Sequence, residues 1–207
     1  TVNTEGAIYT TAEGLVQLST VARFTIADGP WDNVAVWNSP PAGVPTASAH
    51  VIVRHNVTGS VARQARSVTF DQATGGSITG TGTLTVSADG IRVVGNDSHT
   101  ISVEIAGSTG LVKTGIGTLV LSGANTYTGT TTIEDGVLSV AGNANLGNAA
   151  NTVAIAGSGT LAATETFDTN RTVTLLGDGA RLDALAGKTF RLTTGLAGNK
   201  TLNKTGA

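Results

Sequence analysis

The sequence predicts an all-β protein: a right-handed parallel β-helix over residues 67–207, preceded by an irregular capping region over residues 1–66. Three observations lead to this fold class. Gly provides 28 of the 207 residues, while aromatic residues make up only 4% and charged residues 13%. Short runs of alternating apolar residues are separated by Gly, Asn and Thr, which favour tight turns between strands. These runs recur about every 20 residues, which is typical of a repeat architecture.

The capping region differs in composition from the rest of the chain. It holds Trp31, Trp37 and all four Pro residues, whereas residues 67–207 contain neither type. Such a shift marks a structural boundary, and we therefore expect two domains that divide between residues 66 and 67. The open end of a solenoid exposes unpaired backbone groups, which Trp and Pro are suited to cover. The Trp and Pro pattern before Val51-Ile52-Val53 also resembles the opening of many bacterial surface β-solenoids.

Two series of strands run through residues 67–207. From residue 117 onward the members of the first series begin 19, 23 and 20 residues apart. Two series on one shared period indicate that each period forms one turn of a coil. The first series is Gly-Thr-Leu-Thr-Val at 82–86, Gly-Thr-Leu-Val-Leu at 117–121, Gly-Val-Leu-Ser-Val at 136–140, Gly-Thr-Leu-Ala-Ala at 159–163 and Gly-Ala-Arg-Leu-Asp at 179–183. The second series lies at residues 131–133, 153–155, 173–175 and 190–192.

Stacking of successive coils is the arrangement that stabilises strands this short, because an isolated hairpin of three to five residues per strand is not stable. Each coil advances by about 4.8 Å, so roughly seven coils give a rod on the order of 35 Å long. Right-handedness is expected from the chirality of crossover connections. The residues expected to face inward, as apolar ladders, are Leu119, Leu121, Leu138, Val140, Leu161 and Leu182.

Residues 110–140 resemble the passenger-associated repeat of bacterial autotransporters. The family pattern runs roughly L-x-K-x-G-x-G-T-L-x-L-x-G-x-N-T-Y-T-G-x-T-x-I-x-x-G-x-L. Matching positions include Leu111, Lys113, Gly115, Asn125 and Tyr127. The resemblance implies an exported protein, extracellular or attached to the outer surface, that meets the membrane only through a C-terminal translocator outside these residues. The last residues, 202–207, read like 111–116 again, so we expect the repeats to continue beyond this fragment.

Composition and charge argue against several classes of function. The net charge is −2, and the Lys and Arg residues are scattered, so no clustered basic face for nucleic acid is expected. The chain has no Cys, which excludes disulfides and thiolate metal sites. No run approaches the 18 apolar residues of a membrane-spanning helix.

No catalytic, cofactor-binding or metal-ligating residue is predicted. His50, His55 and His99 are interpreted as surface or cap histidines, because they do not converge as metal ligands would. Acidic residues are dispersed: Glu134-Asp135 occupies a turn, Asp178 and Asp183 flank Arg181, and Asp168 is near Arg171. A carboxylate near an Arg is usually a weak surface pair. The Gly pairs 80/82 and 115/117 are interpreted as coil corners rather than phosphate loops.

The Asn125–Gly129 segment is expected to form a corner in which Asn tolerates left-handed geometry. Tyr127 is expected to cover that corner, with an exposed sugar-stacking platform as the alternative.

The main functional hypothesis is a non-catalytic surface module or adhesin stalk, since the surface is repetitive and weakly charged. One alternative is a filament or sheath subunit that associates through solenoid ends or through residues 1–27. Another is a β-helix that binds or processes polysaccharide. The ligand remains open, with a surface glycan or a protein receptor as possible partners.

Overall fold

The computed structural model describes residues 8–11, 14–17, 22–24, 29–31, 45, 48–71, 76–87, 89–200 and 203–205. These residues form an all-β solenoid in which strands from successive turns of the chain pair in parallel. The predicted all-β parallel solenoid is therefore confirmed. One short antiparallel hairpin, β1 (Ile8–Thr11) with β2 (Gly14–Gln17), precedes the solenoid.

Two long parallel sheets of nine strands each form two sides of the solenoid. Sheet I contains β3 (Ala22–Phe24), β5 (His50–Val53), β8 (Ser67–Phe70), β11 (Ile91–Val93), β14 (Leu111–Thr114), β16 (Thr131–Ile133), β18 (Val153–Ile155), β21 (Val173–Leu175) and β24 (Leu196–Ala197). Sheet II contains β4 (Gly29–Pro30), β6 (Asn56–Gly59), β9 (Ser77–Gly80), β12 (Ser98–Ile101), β15 (Thr118–Leu121), β17 (Val137–Val140), β19 (Thr160–Ala163), β22 (Arg181–Ala184) and β25 (Asn203–Thr205).

The third side of the solenoid is less regular. Its strands are β7 (Arg63–Ala65), β10 (Thr83–Val86) and β13 (Glu104–Ala106) in one sheet, and β20 (Phe167–Thr169) with β23 (Phe190–Leu192) in another. Two predicted assignments are wrong here. The segment 82–86 lies on this side rather than in sheet II, and 190–192 lies here rather than in sheet I. The positions predicted for these segments are occupied by other short strands: β9 in sheet II and β24 in sheet I.

The strand register confirms the period read from the sequence. In sheet II, Leu119 pairs with Leu138, Leu138 with Leu161 and Leu161 with Leu182, which are steps of 19, 23 and 21 residues. From residue 67 onward each long sheet contains seven strands, as expected for seven coils. Residues 202–207 and 111–116 have similar sequences but occupy different sides of the coil. Strand β25 belongs to sheet II, whereas β14 belongs to sheet I.

The core is a narrow column of apolar side chains between the sheets. Strands alternate buried and half-buried positions because successive side chains of a strand point to opposite faces. All six residues predicted to face inward are buried (Leu119, Leu121, Leu138, Val140, Leu161 and Leu182). Burying one such side chain stabilises the fold by about 1.5–3 kcal/mol.

Glycine is required at corners where adjacent coils touch through their backbones. Gly115 has a φ of +77°, and a Cβ there would lie 2.2 Å from the carbonyl oxygen of Val93 in the preceding coil. Gly80 has the same relation to Gly59, with a φ of +117° and a Cβ contact of 2.2 Å. Both glycines are therefore corner residues, as predicted, and neither opens a helix.

About half of the capping region, including Trp37, lies outside the described residues. Trp31 is buried, with 1% of its surface exposed, and its backbone N–H donates to the carbonyl of Thr58 at 2.8 Å. The division into two domains after residue 66 stays a prediction. Both long sheets continue across that position, since β5 pairs with β8 and β6 with β9.

Candidate functional site

The third side of the solenoid has no strands between β13 and β20, and the chain closes it there by other means. Two segments, 122–130 and 141–152, fill this gap in successive coils, and the second contains a short 3-10 helix at Asn143–Leu146. Backbone bonds still join the coils: Thr126 N–H donates to Ile105 at 2.9 Å, and Asn148 N–H donates to Tyr127 at 3.0 Å. Buried polar side chains supply the remaining bonds.

Asn125 bridges three consecutive coils. Its Oδ1 accepts a hydrogen bond from the backbone N–H of Ile105 at 2.8 Å, in the preceding coil. Its Nδ2 donates to the carbonyl of Asn145 at 2.6 Å, in the following coil. Tolerance of left-handed geometry does not explain Asn125, because among the described residues only glycines have positive φ. The residue type is explained instead by its amide, which presents both an acceptor and donors.

Asn145 and Asn151 repeat this role one coil later, and with Asn125 they form what we call the asparagine cluster. Asn145 donates from Nδ2 to Gly123 at 3.0 Å and accepts at Oδ1 from the N–H groups of Ala141 and Gly142. Asn151 donates to Tyr127 and accepts from Gly129 at 3.0 Å. Buried backbone groups that would otherwise lose their partners are thereby satisfied.

Tyr127 packs inside this corner. It is 1% exposed, and its hydroxyl lies 2.6 Å from Oγ1 of the buried Thr131. Burial raises the pKa of the Tyr127 phenol to about 12. The expectation that its ring covers the corner fits this burial, and the alternative of an exposed sugar-stacking platform is wrong.

Arg171, in the following coil, holds the 141–152 segment in place. The sequence placed Arg171 near Asp168 as a weak surface pair, but this is wrong because the guanidinium turns inward and is buried. It donates to four backbone carbonyls, those of Asn143, Gly147, Asn148 and Asn151. Burial lowers the pKa of Arg171. Asp168 pairs instead with the exposed Arg191, whose hydrogen bonds hold the pKa of Asp168 below its usual value.

Lys113 is a buried cation that sequence reasoning treated only as a motif position. It occupies an inward position of β14, in register with Ile91 and Ile133. Its Nζ donates to the carbonyls of Thr114 at 3.0 Å, Gly115 at 2.7 Å and Asp135 at 3.1 Å. Burial lowers the pKa of Lys113 to about 8. The alternation Leu111-Val112-Lys113 was the available signal, since it places Lys113 on the same face as Leu111.

His99 also lies in the core, which corrects its assignment as a surface or cap histidine. Its ring stacks on Phe70 with centroids 4.8 Å apart, and Nδ1 lies 2.9 Å from the carbonyl oxygen of Gly76. His50 and His55 are half-buried, and His50 Nδ1 lies 2.7 Å from Ser67 Oγ. In the part of the chain that the structure describes, no three His or acidic side chains come together as a metal site would require.

Two further acidic residues named in the sequence bind side chains of the next coil. Asp135 accepts a hydrogen bond from Ser158 at 2.8 Å, and Asp178 pairs with Lys200 at 3.4 Å rather than with Arg181. Among the described residues, five ion pairs join positions 17 to 23 residues apart, so each links neighbouring coils (Arg54–Asp71, Arg66–Asp89, Glu165–Lys188, Asp168–Arg191 and Asp178–Lys200). Exposed pairs of this kind contribute little individually.

Comparison with known proteins finds a family that matches the first part of this corner. The family described as the passenger-associated-transport-repeat matches residues 111–140, which contain Lys113, Asn125 and Tyr127. Residues 111–140 are therefore similar to a passenger-associated-transport-repeat. Over 83 residues, or 40% of this chain, it is 42% identical to "Adhesin BmaC autotransporter" of Brucella suis biovar 1 (strain 1330).

The chain spans only 2% of the length of that adhesin. No solved structure matches the chain. Within the described residues, no helix has the length and apolar character of a membrane span.

Proposed function

We propose that these residues form a non-catalytic segment of a surface-exposed or secreted passenger, acting as an adhesin stalk or surface structural module. One observation carries the proposal: sheets I and II stack without interruption from β3 and β4 to β24 and β25, with the passenger repeat inside the stack. Nine strands per sheet, spaced by about 4.8 Å, span roughly 40 Å along the axis. A rod of this kind holds the parts of the passenger attached to its outer end at a distance from the cell.

The side-chain arrangement supports a structural role. The buried polar groups Lys113, Asn125 and Arg171 bond backbone carbonyls and N–H groups of neighbouring coils, which ties each coil to the next. Two of the acidic residues considered in the sequence, Asp168 and Asp178, are bound to basic side chains of the next coil. Most glycoside hydrolases, in contrast, use two carboxylates that flank one glycosidic bond. The name of the related protein, an adhesin, supports a stalk rather than an enzyme.

The test is an in-frame deletion of this segment in the source organism, combined with antibody labelling of intact cells. We expect the antibody to label intact wild-type cells, and the deletion to weaken attachment or to change envelope architecture. Labelling that requires cell lysis would contradict surface exposure. A deletion strain that attaches normally and has an unchanged envelope would contradict the stalk.

Two biochemical measurements separate the alternatives. Light scattering of the concentrated chain reports polymerisation, which a filament or sheath subunit predicts and a stalk does not. Glycan-array binding together with reducing-end release from polysaccharides would favour the polysaccharide-processing function instead.

A further inference from the structure

A surface groove lies at the corner where sheet I turns into sheet II, outside the asparagine cluster. It has a volume of about 460 Å³ and is formed by three consecutive coils. Its lining includes Arg92, Val94, Thr114, Ile116, Glu134 and Asp135. Ile116 is 62% exposed and Val94 39% exposed, so the groove offers an apolar surface between its charged residues.

Two opposite charges stand at the ends of this groove. Arg92 pairs in register with Thr114, and Glu134 lies one residue beyond the Lys113–Ile133 pair, so Arg92 and Glu134 are two coils apart. The backbones of these two residues are therefore separated by two strand spacings, about 10 Å. Both side chains are exposed, and within the described residues neither has an ionic partner. The ion pairs found among the described residues, in contrast, join adjacent coils.

The floor of the groove is preformed. The carbonyls of Thr114, Gly115 and Asp135 all accept hydrogen bonds from the buried Lys113 ammonium. Gly115 contacts the backbone of Val93 so closely that a Cβ would not fit. A ligand therefore meets a surface whose backbone is already fixed, which reduces the entropy lost on binding.

We propose that this corner groove binds an extended peptide segment that carries an acidic and a basic side chain on either side of an apolar one. The acid would lie near Arg92, the apolar residue on Ile116 and Val94, and the base near Glu134 and Asp135. In an extended peptide, positions i, i+2 and i+4 share one face and span about 13 Å. Flexible Glu and Lys side chains bring their charges within reach of groups about 10 Å apart. A neutral glycan fits less well, because no lining residue is aromatic.

The test uses the purified chain with capped pentapeptides, read by amide chemical shifts of Gly95 and Gly115. The charged probe is acetyl-Glu-Ser-Leu-Ser-Lys-amide, and the matched neutral probe has Gln at both ends. We expect the charged peptide to bind about tenfold more tightly than the neutral one, because two exposed charge pairs contribute together. Raising the salt concentration should weaken only the charged peptide. Equal binding of both peptides, or no binding, would overturn the proposal.

Charge exchange supplies the decisive control. Arg92→Glu and Glu134→Arg should each weaken the charged peptide about tenfold, whereas the double variant should restore binding, since the peptide can bind in the reverse direction. Arg181→Glu, an exposed site outside the groove, is the matched control and should change nothing. Ile116→Ser should weaken both peptides, while Leu176→Ser, also exposed, should not. A folded double variant that does not recover binding would refute the proposed charge arrangement. Because every measurement uses the isolated chain, the result is independent of the stalk function.

Discussion

Replacing Asn125 by Ala tests how the passenger repeat closes its irregular side. The substitution removes two hydrogen bonds. The backbone N–H of Ile105 loses its acceptor on Asn125, and the carbonyl of Asn145 loses its donor on Asn125. A buried polar group that loses its partner costs about 1–3 kcal/mol, so two such groups lower the free energy of unfolding by about 4 kcal/mol. In a solenoid this loss is local and concerns the coils that share the corner.

Urea denaturation and native-state hydrogen exchange measure the effect of Asn125→Ala. We expect a lower denaturation midpoint and faster exchange of the Ile105 amide, while amides of β8 and β22 keep their protection. Asn170→Ala is the matched control, because Asn170 is exposed, and its effect should stay within about 0.5 kcal/mol. If Asn125→Ala changed the free energy of unfolding by no more than this control does, the bridging role assigned to Asn125 would be refuted.

Three further predictions concern the core, a corner and the buried cation. Leu138→Ala should lower the free energy of unfolding by about 3 kcal/mol in urea titrations, since Leu138 is fully buried; a loss below about 1 kcal/mol would contradict its place in the ladder. Gly115→Ala should lower the thermal midpoint and destabilise by about 2 kcal/mol or more, because φ is +77° and the new Cβ meets the Val93 carbonyl; an unchanged midpoint would show that the corner relaxes freely. Burial lowers the pKa of Lys113 from 10.5 to about 8 in the folded state. Between pH 8 and pH 10.5 the unfolded chain therefore binds more protons than the folded chain. The free energy of unfolding rises with pH over this range, by up to about 3 kcal/mol. Lys113→Met should remove this rise, and an identical pH profile in both proteins would exclude the assignment.

Periodicity made most of the fold predictable. A strand in a solenoid repeats its partner's pattern one coil away, so Leu119, Leu138, Leu161 and Leu182 could be aligned from their letters alone. The two misplaced segments, 82–86 and 190–192, have the same alternation as their counterparts in the long sheets. Alternation reports which face of a strand is buried but not which side of the coil the strand occupies.

The buried polar groups were less predictable because their partners are mostly backbone atoms. Lys113, His99 and Arg171 are residue types that usually lie at the surface, and the carbonyls that hold them leave no trace in the sequence. Asn125 was correctly placed at a corner, but its function there depends on the coils before and after it. Such long-range contacts become visible only when the coils are stacked.

Distances between coils test the central claim, a parallel solenoid with one coil per period. The chain has no Cys, so spin labels can be attached to introduced Cys pairs without background. Ser98 and Arg181 occupy one row of sheet II four coils apart, and Asn56 and Asp183 occupy the neighbouring row six coils apart. At about 4.8 Å per coil, pulsed electron paramagnetic resonance should give mean distances near 19 Å and 29 Å, respectively. Distances that do not increase by about 10 Å between the two pairs would contradict the stacked solenoid.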